Sequence, residues 1–400
     1  MVEKQEVVVV VIRFIAIVFL FFFFGSSYSQ ENSEKEEESD TTTIYKKRVL
    51  ETSEVDFLMS YYSQDGKNAA VTGGRGTEEL TDITPTFIIS IPLSDDEVLS
   101  IDAGISAYTS ASSSNVDGLD TETPDPFKAS SGASGGDSWV NLNASYSHSS
   151  DDRNKIQHVK FSLANEYDYF SIGFGGGHTW LFNDKNTELD INGSVYLDTW
   201  NAIYPGELRQ FSDQNTGSVS EIDGKQITGN PNYRPRFKSF TDEARNSYAL
   251  GLSFSQILSK RMQAMVLADF VQQSGLLSTP FQRVYFADVA NSYIANFHLA
   301  DANERLPDNR SKVALGTRVN YYLNERFVLR NYYRFYSDNW GIVSHTYQVE
   351  MPIKVGTKFT LYPSYRYYEQ SQADYFAPYE SHLSSEEFYT PDFDLSTYQA

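Results

Sequence analysis

Cysteine is absent from the 400 residues. No disulfide, thiolate nucleophile or cysteine-held zinc or iron–sulfur centre can form, a trait compatible with an exported chain that needs no staples. Bases are scarce: 32 Lys and Arg face 53 Asp and Glu, for a net charge of −21. A chain this acidic repels polyanions, which excludes nucleic acid as a partner. The six histidines (His148, His158, His178, His298, His345, His382) are scattered, with no His-x-x-x-His pair and no glutamate-bearing metal helix. A Gly-x-Ser-x-Gly elbow is also missing. Ser344 beside His345 is the one seed for a nucleophile and base, so the sequence points away from catalysis and indicates no cofactor. Beyond residue 24, no apolar run approaches the ~18–20 residues of a membrane helix. A membrane-spanning form of this chain must therefore be a barrel.

Aromatic residues are abundant, at 15%, with 28 Tyr and 27 Phe. Tyrosine suits surfaces where one end of the ring is apolar and the other wet. The N-terminus carries Lys4 and Arg13, then the apolar run "FIAIVFLFFFF" and the small-residue run "GSSYS". This layout predicts a signal peptide over 1–29, with cleavage between Ser29 and Gln30. The acidic stretch "QENSEKEEESDTTT" has almost nothing to bury, so 30–53 is expected to be a disordered periplasmic lead.

From residue 54 onward the side chains alternate with period 2. "ELDINGSVYLDTW" sets Leu189, Ile191, Val195 and Leu197 against Asp190, Asn192, Ser194, Tyr196 and Asp198. "SYALGLSFSQ" sets Tyr248, Leu250, Leu252 and Phe254 against Gly251, Ser253 and Ser255. "LRNYYRFYSDNWGIVSH" sets Arg330, Tyr332, Arg334 and Tyr336 against Leu329, Tyr333 and Phe335. Water on one face and lipid on the other explain such strands, whose length of about 9–13 residues suits a tilted crossing. Thirteen strands are expected near 55–62, 85–93, 97–109, 138–148, 156–165, 169–180, 187–200, 244–257, 261–273, 312–323, 326–337, 342–355 and 358–370. Tight turns such as "NDKN" and "SK" alternate with connections that are long at 63–84, 110–137, 201–243 and 274–311 and short near 166–168 and 338–341. That asymmetry matches short periplasmic turns and long outer loops. The fold class is thus an all-β, antiparallel transmembrane barrel over 54–400. Single-chain bacterial barrels have even strand numbers. A complete form of about fourteen to sixteen strands is therefore expected, with the last strands missing and residues after 370 ending in an outer loop.

Several stretches together resemble a known family: "SYYSQDGKNAAVTGGRGTEEL", "AYTSASSSN" with "ASSGASGGDSW", "QQSGLLSTPFQRVYF", "RFYSDNWGIVSHT" and "YPSYRYYEQSQADYFAPY". They are similar to domain-of-unknown-function family 3570, exported Gram-negative proteins that look like outer-membrane barrels. The resemblance implies the outer membrane, contact with its lipid and the barrel fold. It carries no catalytic residue or ligand. Its gene neighbourhoods hold flavin-attaching and thioredoxin-like proteins, which implies a periplasmic redox partner as one option. Members also continue past the "DLS" region with further strands.

On the expected phasing, Arg318, Arg330, Arg334 and Arg366 point inward, with Glu350, Tyr332 and Tyr336 among them. Asp102, Asp190 and Asp198 point inward elsewhere on the wall. Such an arrangement can be a constriction whose transverse field filters polar solutes, or a set of salt bridges filling a narrow lumen. Both readings remain open, as do the solute and the oligomeric state. Arg234, Arg236 and Lys238 form a basic island in an acidic chain. It is expected at the outer rim, docking a lipid phosphate or an anionic ligand there, or else paired with neighbouring acidic loops. "VTGGRGTEEL" lacks the ending of a phosphate-binding loop. The loop aspartates Asp117, Asp120 and Asp125 lack EF-hand spacing and are read as solvated.

Overall fold

Thirteen long strands follow one another in an antiparallel meander. The computed structural model describes residues 48–64, 80–109, 137–201, 204–212, 216–239, 242–280, 282–295 and 297–400. The expected signal peptide, most of the acidic lead, the glycine-rich loop near 71–79 and the three loop aspartates lie outside the described residues. The strands are β1 (Glu54–Gln64), β2 (Leu80–Pro92), β3 (Glu97–Tyr108), β4 (Asp137–Ser149), β5 (Lys155–Asn165), β6 (Tyr169–Phe182) and β7 (Thr187–Trp200). They continue with β8 (Glu243–Ser259), β9 (Met262–Gly275), β10 (Asn309–Asn324) and β11 (Phe327–Asp338). β12 runs Val343–Glu350 and resumes at Ile353–Val355, and β13 runs Phe359–Leu361 and resumes at Ser364–Gln370. Each pairs with its sequence neighbours, so this is the expected antiparallel barrel wall. Among the described residues nothing pairs with the outer edge of β1, and Tyr398–Gln399 pair with Glu369–Gln370 on β13. That last pairing departs from the expectation that nothing after residue 370 returns to the sheet.

The expected strand positions hold to within a few residues at most ends. β2 begins five residues early, at Leu80 instead of 85, because Pro85 interrupts pairing without ending the strand: it has a partner in Met59 but none in β3. The expected single strands 342–355 and 358–370 each break at a proline, Pro352 and Pro363, which cannot donate to the ladder. The two breaks face each other, and Met351 N–H donates to the Pro363 carbonyl at 3.0 Å.

The alternation sorts side chains as a lipid-facing wall requires. On one face Val159, Phe174, Leu250, Phe254, Val266, Phe270, Leu315 and Tyr365 stand exposed. Between them Ser162, Ser171, Ser255, Ser344 and Thr346 point the other way and are buried. Large apolar side chains left uncovered this systematically are costly in water and favourable in hydrocarbon.

The packed apolar core lies at the long-loop end. There the β7–β8 and β9–β10 connections and the segment after β13 form a cap. A 3-10 helix, Gly206–Phe211, and three small sheets shape it, one of them pairing Arg283–Val284 with Ala302–Asn303. Phe211, Ile222, Ile227, Tyr233, Ile294, Phe297 and Leu299 are buried together, and Val284, Phe286, Ala302 and Tyr389 make a second cluster. The C-terminal segment is tied in by Arg305–Tyr389 backbone pairing, by Ala287 N–H to the His382 carbonyl at 2.8 Å, and by Ser384 on Asp288. The described parts of the 201–243 and 274–311 connections are folded structure where the sequence shows only long connections.

The short β11–β12 connection is organised by Asp338, whose side chain is fully buried. Its carboxylate accepts from Arg310 Nε at 2.9 Å, from the Tyr336 hydroxyl at 2.7 Å, and from the backbone N–H groups of Trp340 and Ile342. One acidic side chain thus closes the turn and holds the edges of β10 and β11 together.

Candidate functional site

The β10–β13 register brings the expected arginines onto the polar face at three adjacent levels. Asn320, Arg330, Glu350 and Ser364 form the first row across the strands. Arg318, Tyr332, Gln348 and Arg366 form the second, and Gly316, Arg334, Thr346 and Tyr368 the third. Tyr336 lies in the next row, between Ala314 and Ser344. Rows two residues apart along a strand are separated by about 6.6 Å.

Partners divide these arginines into two kinds. Arg330 Nη1 donates to Glu350 Oε1 at 2.7 Å, and Arg334 Nη2 lies 3.6 Å from Asp269 Oδ2. Asp269, on β9, is absent from the sequence-derived set, although the alternation of "LADF" puts it on the polar face. Arg318 instead lies over the Tyr332 ring, with its guanidinium carbon 5.6 Å from the ring centre. Arg366 lies over the Tyr368 ring at 6.0 Å. Among the described residues no carboxylate pairs with either. Four arginines against Glu350 and Asp269 leave a local excess of two positive charges.

The aspartates occupy the same face of other strands, each held by neutral donors. Asp102 accepts from the Asn143 amide at 2.9 Å and, more loosely, from Asn141 at 3.4 Å. Asp190 accepts from the Thr179 hydroxyl at 2.8 Å and the Asn192 amide at 2.9 Å. Asp198 is buried and accepts from the Tyr169 hydroxyl. All three lie on strands away from β10–β13, and among the described residues none has a basic partner.

Two glycines on this face seat bulky neighbours. A Cβ at Gly173 would lie 2.5 Å from the Tyr196 ring, and one at Gly251 would lie 2.7 Å from the Asn192 side chain. These positions are therefore occupied by adjacent side chains and are not open wall.

Of the basic island, Arg236 is committed to the cap. Its Nη1 donates to the Glu386 carbonyl at 2.7 Å, and its guanidinium lies over the Tyr389 ring. Arg234 and Lys238 are exposed beside it. Ser344 and His345, adjacent on β12, point to opposite faces. Ser344 is buried, and His345 Nδ1 meets the Tyr333 hydroxyl at 2.8 Å. They cannot work as nucleophile and base. Among the described residues, no three His, Asp or Glu side chains are grouped to hold a metal ion.

The cap buries charge that the sequence reading missed. Arg283 and Glu207 are 1% and 0% exposed and form a two-pronged pair, Nε to Oε1 at 2.8 Å and Nη2 to Oε2 at 3.2 Å. Glu304, also buried, accepts from Thr279 N–H and the Thr390 hydroxyl, and burial pushes its carboxyl up to about 7. Asp301 accepts from Phe286 N–H at 2.9 Å and is pushed up to about 6, again by burial.

Comparison with solved structures finds outer-membrane proteins. A ferric enterobactin receptor mutant of Pseudomonas aeruginosa aligns at 10% identity over 82% of this chain and 46% of its own, with a TM-score of 0.43. The chain therefore spans about half the length of that receptor. A FadL homologue of Pseudomonas aeruginosa aligns at 10% identity over 80% of each chain, with a TM-score of 0.36. The COG4313 outer membrane channel of Pseudomonas putida F1 aligns at 10% identity over 83% of this chain and 100% of its own, with a TM-score of 0.31. No curated protein matches the sequence. The profile of one family matches residues 32–400, nearly the whole chain, and the protein belongs to that family, described as protein of unknown function (DUF3570).

Proposed function

We propose that the protein is a non-enzymatic outer-membrane channel or transporter for small polar solutes, with lumen-facing arginines that set which solutes pass. The observation that carries this reading is the clustering of Arg318, Arg330, Arg334 and Arg366 within three rows of one polar face, with lipid-type side chains on the other. Arginine keeps its charge in a low-dielectric lumen and binds acceptors through a rigid fork. Asp102 and Asp190, on β3 and β7, add carboxylates elsewhere on the same face, as in pores that orient polar solutes. Arg330→Ala with Arg334→Ala should move ion preference toward cations in a planar bilayer. Unchanged selectivity would remove these two residues from the selectivity role.

A second reading has its own support: a filled barrel that scaffolds or sheathes a periplasmic partner, such as a redox protein. Tyr196 over Gly173 and Asn192 over Gly251 occupy wall space that an open pore would use. Solute uptake by liposomes carrying the refolded protein separates the two, because a filled lumen passes nothing.

A further inference from the structure

We infer that the row Arg318–Tyr332–Gln348–Arg366 is a binding site for an oxyanion, meaning the phosphate or carboxylate group of a passing solute. This deepens the proposed function and rests on these side chains facing the lumen.

This row is rich in unused donors. A guanidinium offers five N–H groups, a phenol one O–H and a primary amide two N–H groups. Among the described residues none of these four side chains makes a hydrogen bond or an ion pair. Arg318 and Arg366 have only ring contacts, with Tyr332 and Tyr368. The rows on either side behave differently: Arg330 is matched by Glu350 and Arg334 by Asp269. Among the described residues, the row between them is thus the level at which positive charge has no counter-charge.

Geometry turns those donors into one site. Arg318 and Tyr332 are direct cross-strand partners, as are Tyr332 with Gln348 and Gln348 with Arg366. The backbones carrying the two arginines are three strands apart, about 14 Å. Arg318 closes part of that gap by lying over Tyr332, toward Arg366. A ring beneath a guanidinium attracts it while leaving its N–H edge free for an acceptor. Arg366 leans along its own strand over Tyr368, so an oxyanion above Tyr332 and Gln348 can receive the Arg318 fork and neutral donors from below, with the Arg366 charge beside it. Charge-assisted bonds of this kind are the strong ones, and Arg pairs with carboxylate and phosphate with two parallel bonds. The row offers a cation no carboxylate, and its two arginines repel one.

The probe is inorganic phosphate, titrated calorimetrically into refolded protein in detergent at low salt. Wild-type protein is expected to bind it, and Arg318→Gln to weaken binding about tenfold, the scale of one charged hydrogen bond. Gln348→Glu, nearly isosteric, places an internal carboxylate between the two arginines and should weaken binding at least as much. It also serves as the readout if Arg318→Gln fails to refold. Absence of phosphate binding by the wild type, or equal binding by the wild type and the folded variants, overturns the site. Bilayer conductance is read separately. A silent barrel that still binds phosphate through Arg318 would sink the channel reading and keep the site. A conducting barrel indifferent to phosphate would do the reverse.

Discussion

Arg283 and Glu207, 76 residues apart in sequence, form a two-pronged ion pair inside the cap, with both side chains essentially sealed from solvent. Arg283 also lies over the Phe297 ring at 5.1 Å, in the apolar cluster that joins the two long connections. Removing one partner of such a pair leaves a buried charge uncompensated, at a cost of about 3–5 kcal/mol. Glu207→Gln should therefore loosen the cap while the strands stay paired. Limited proteolysis would show new cuts within 204–239 and 282–306 and an intact barrel core.

The cap should also respond to pH. Glu304 and Asp301 are raised in the folded state to about 7 and about 6, from ordinary values of 4.5 and 3.8, mainly by burial. Their folded forms hold protons that the unfolded chain releases, so stability falls as pH rises through the interval between the two values. This contribution is full below pH ~4 and gone above pH ~7. Amide exchange in the cap is expected to be slower at pH 5 than at pH 8, beyond the intrinsic chemical difference. Glu304→Gln, which keeps a neutral side chain at every pH, should flatten most of that dependence.

The turn between β11 and β12 offers a third check. Asp338 serves Arg310, Tyr336 and two backbone N–H groups at once. Asp338→Asn removes the charge and part of the acceptor capacity facing Arg310, which is itself only 15% exposed. A loss of about 2–4 kcal/mol is expected in urea unfolding of the barrel in detergent. Asn320→Ala, on the same sheet but outside this hub, should cost far less.

Much of the wall was legible in the sequence. A strand with lipid on one side and water on the other must alternate, so "SYALGLSFSQ" and "RNYYRFY" declare both their conformation and their faces. The placement of Arg318, Arg330, Arg334 and Arg366 on the polar face follows from that parity alone. Which arginines are neutralised does not, because it depends on register: Arg334 meets Asp269 two strands away, and Arg330 meets Glu350 on the next. The cap was missed for a different reason. Its core is assembled from short, irregular pieces with no period, and its contacts, such as Glu304 with Thr390, join positions 86 residues apart. Its one local hint was the concentration of apolar residues in "RVYFADVANSYIANFHLA", too rich for a solvated loop.

Single-channel recording of the refolded mature protein in a planar bilayer decides between a channel and a filled barrel. Discrete, salt-dependent openings are expected, with an ion preference that shifts toward cations when Arg330 and Arg334 are replaced by Ala. A barrel shown to be folded by its heat-modifiable mobility, yet silent at every voltage and salt concentration, would contradict the channel and favour the filled scaffold.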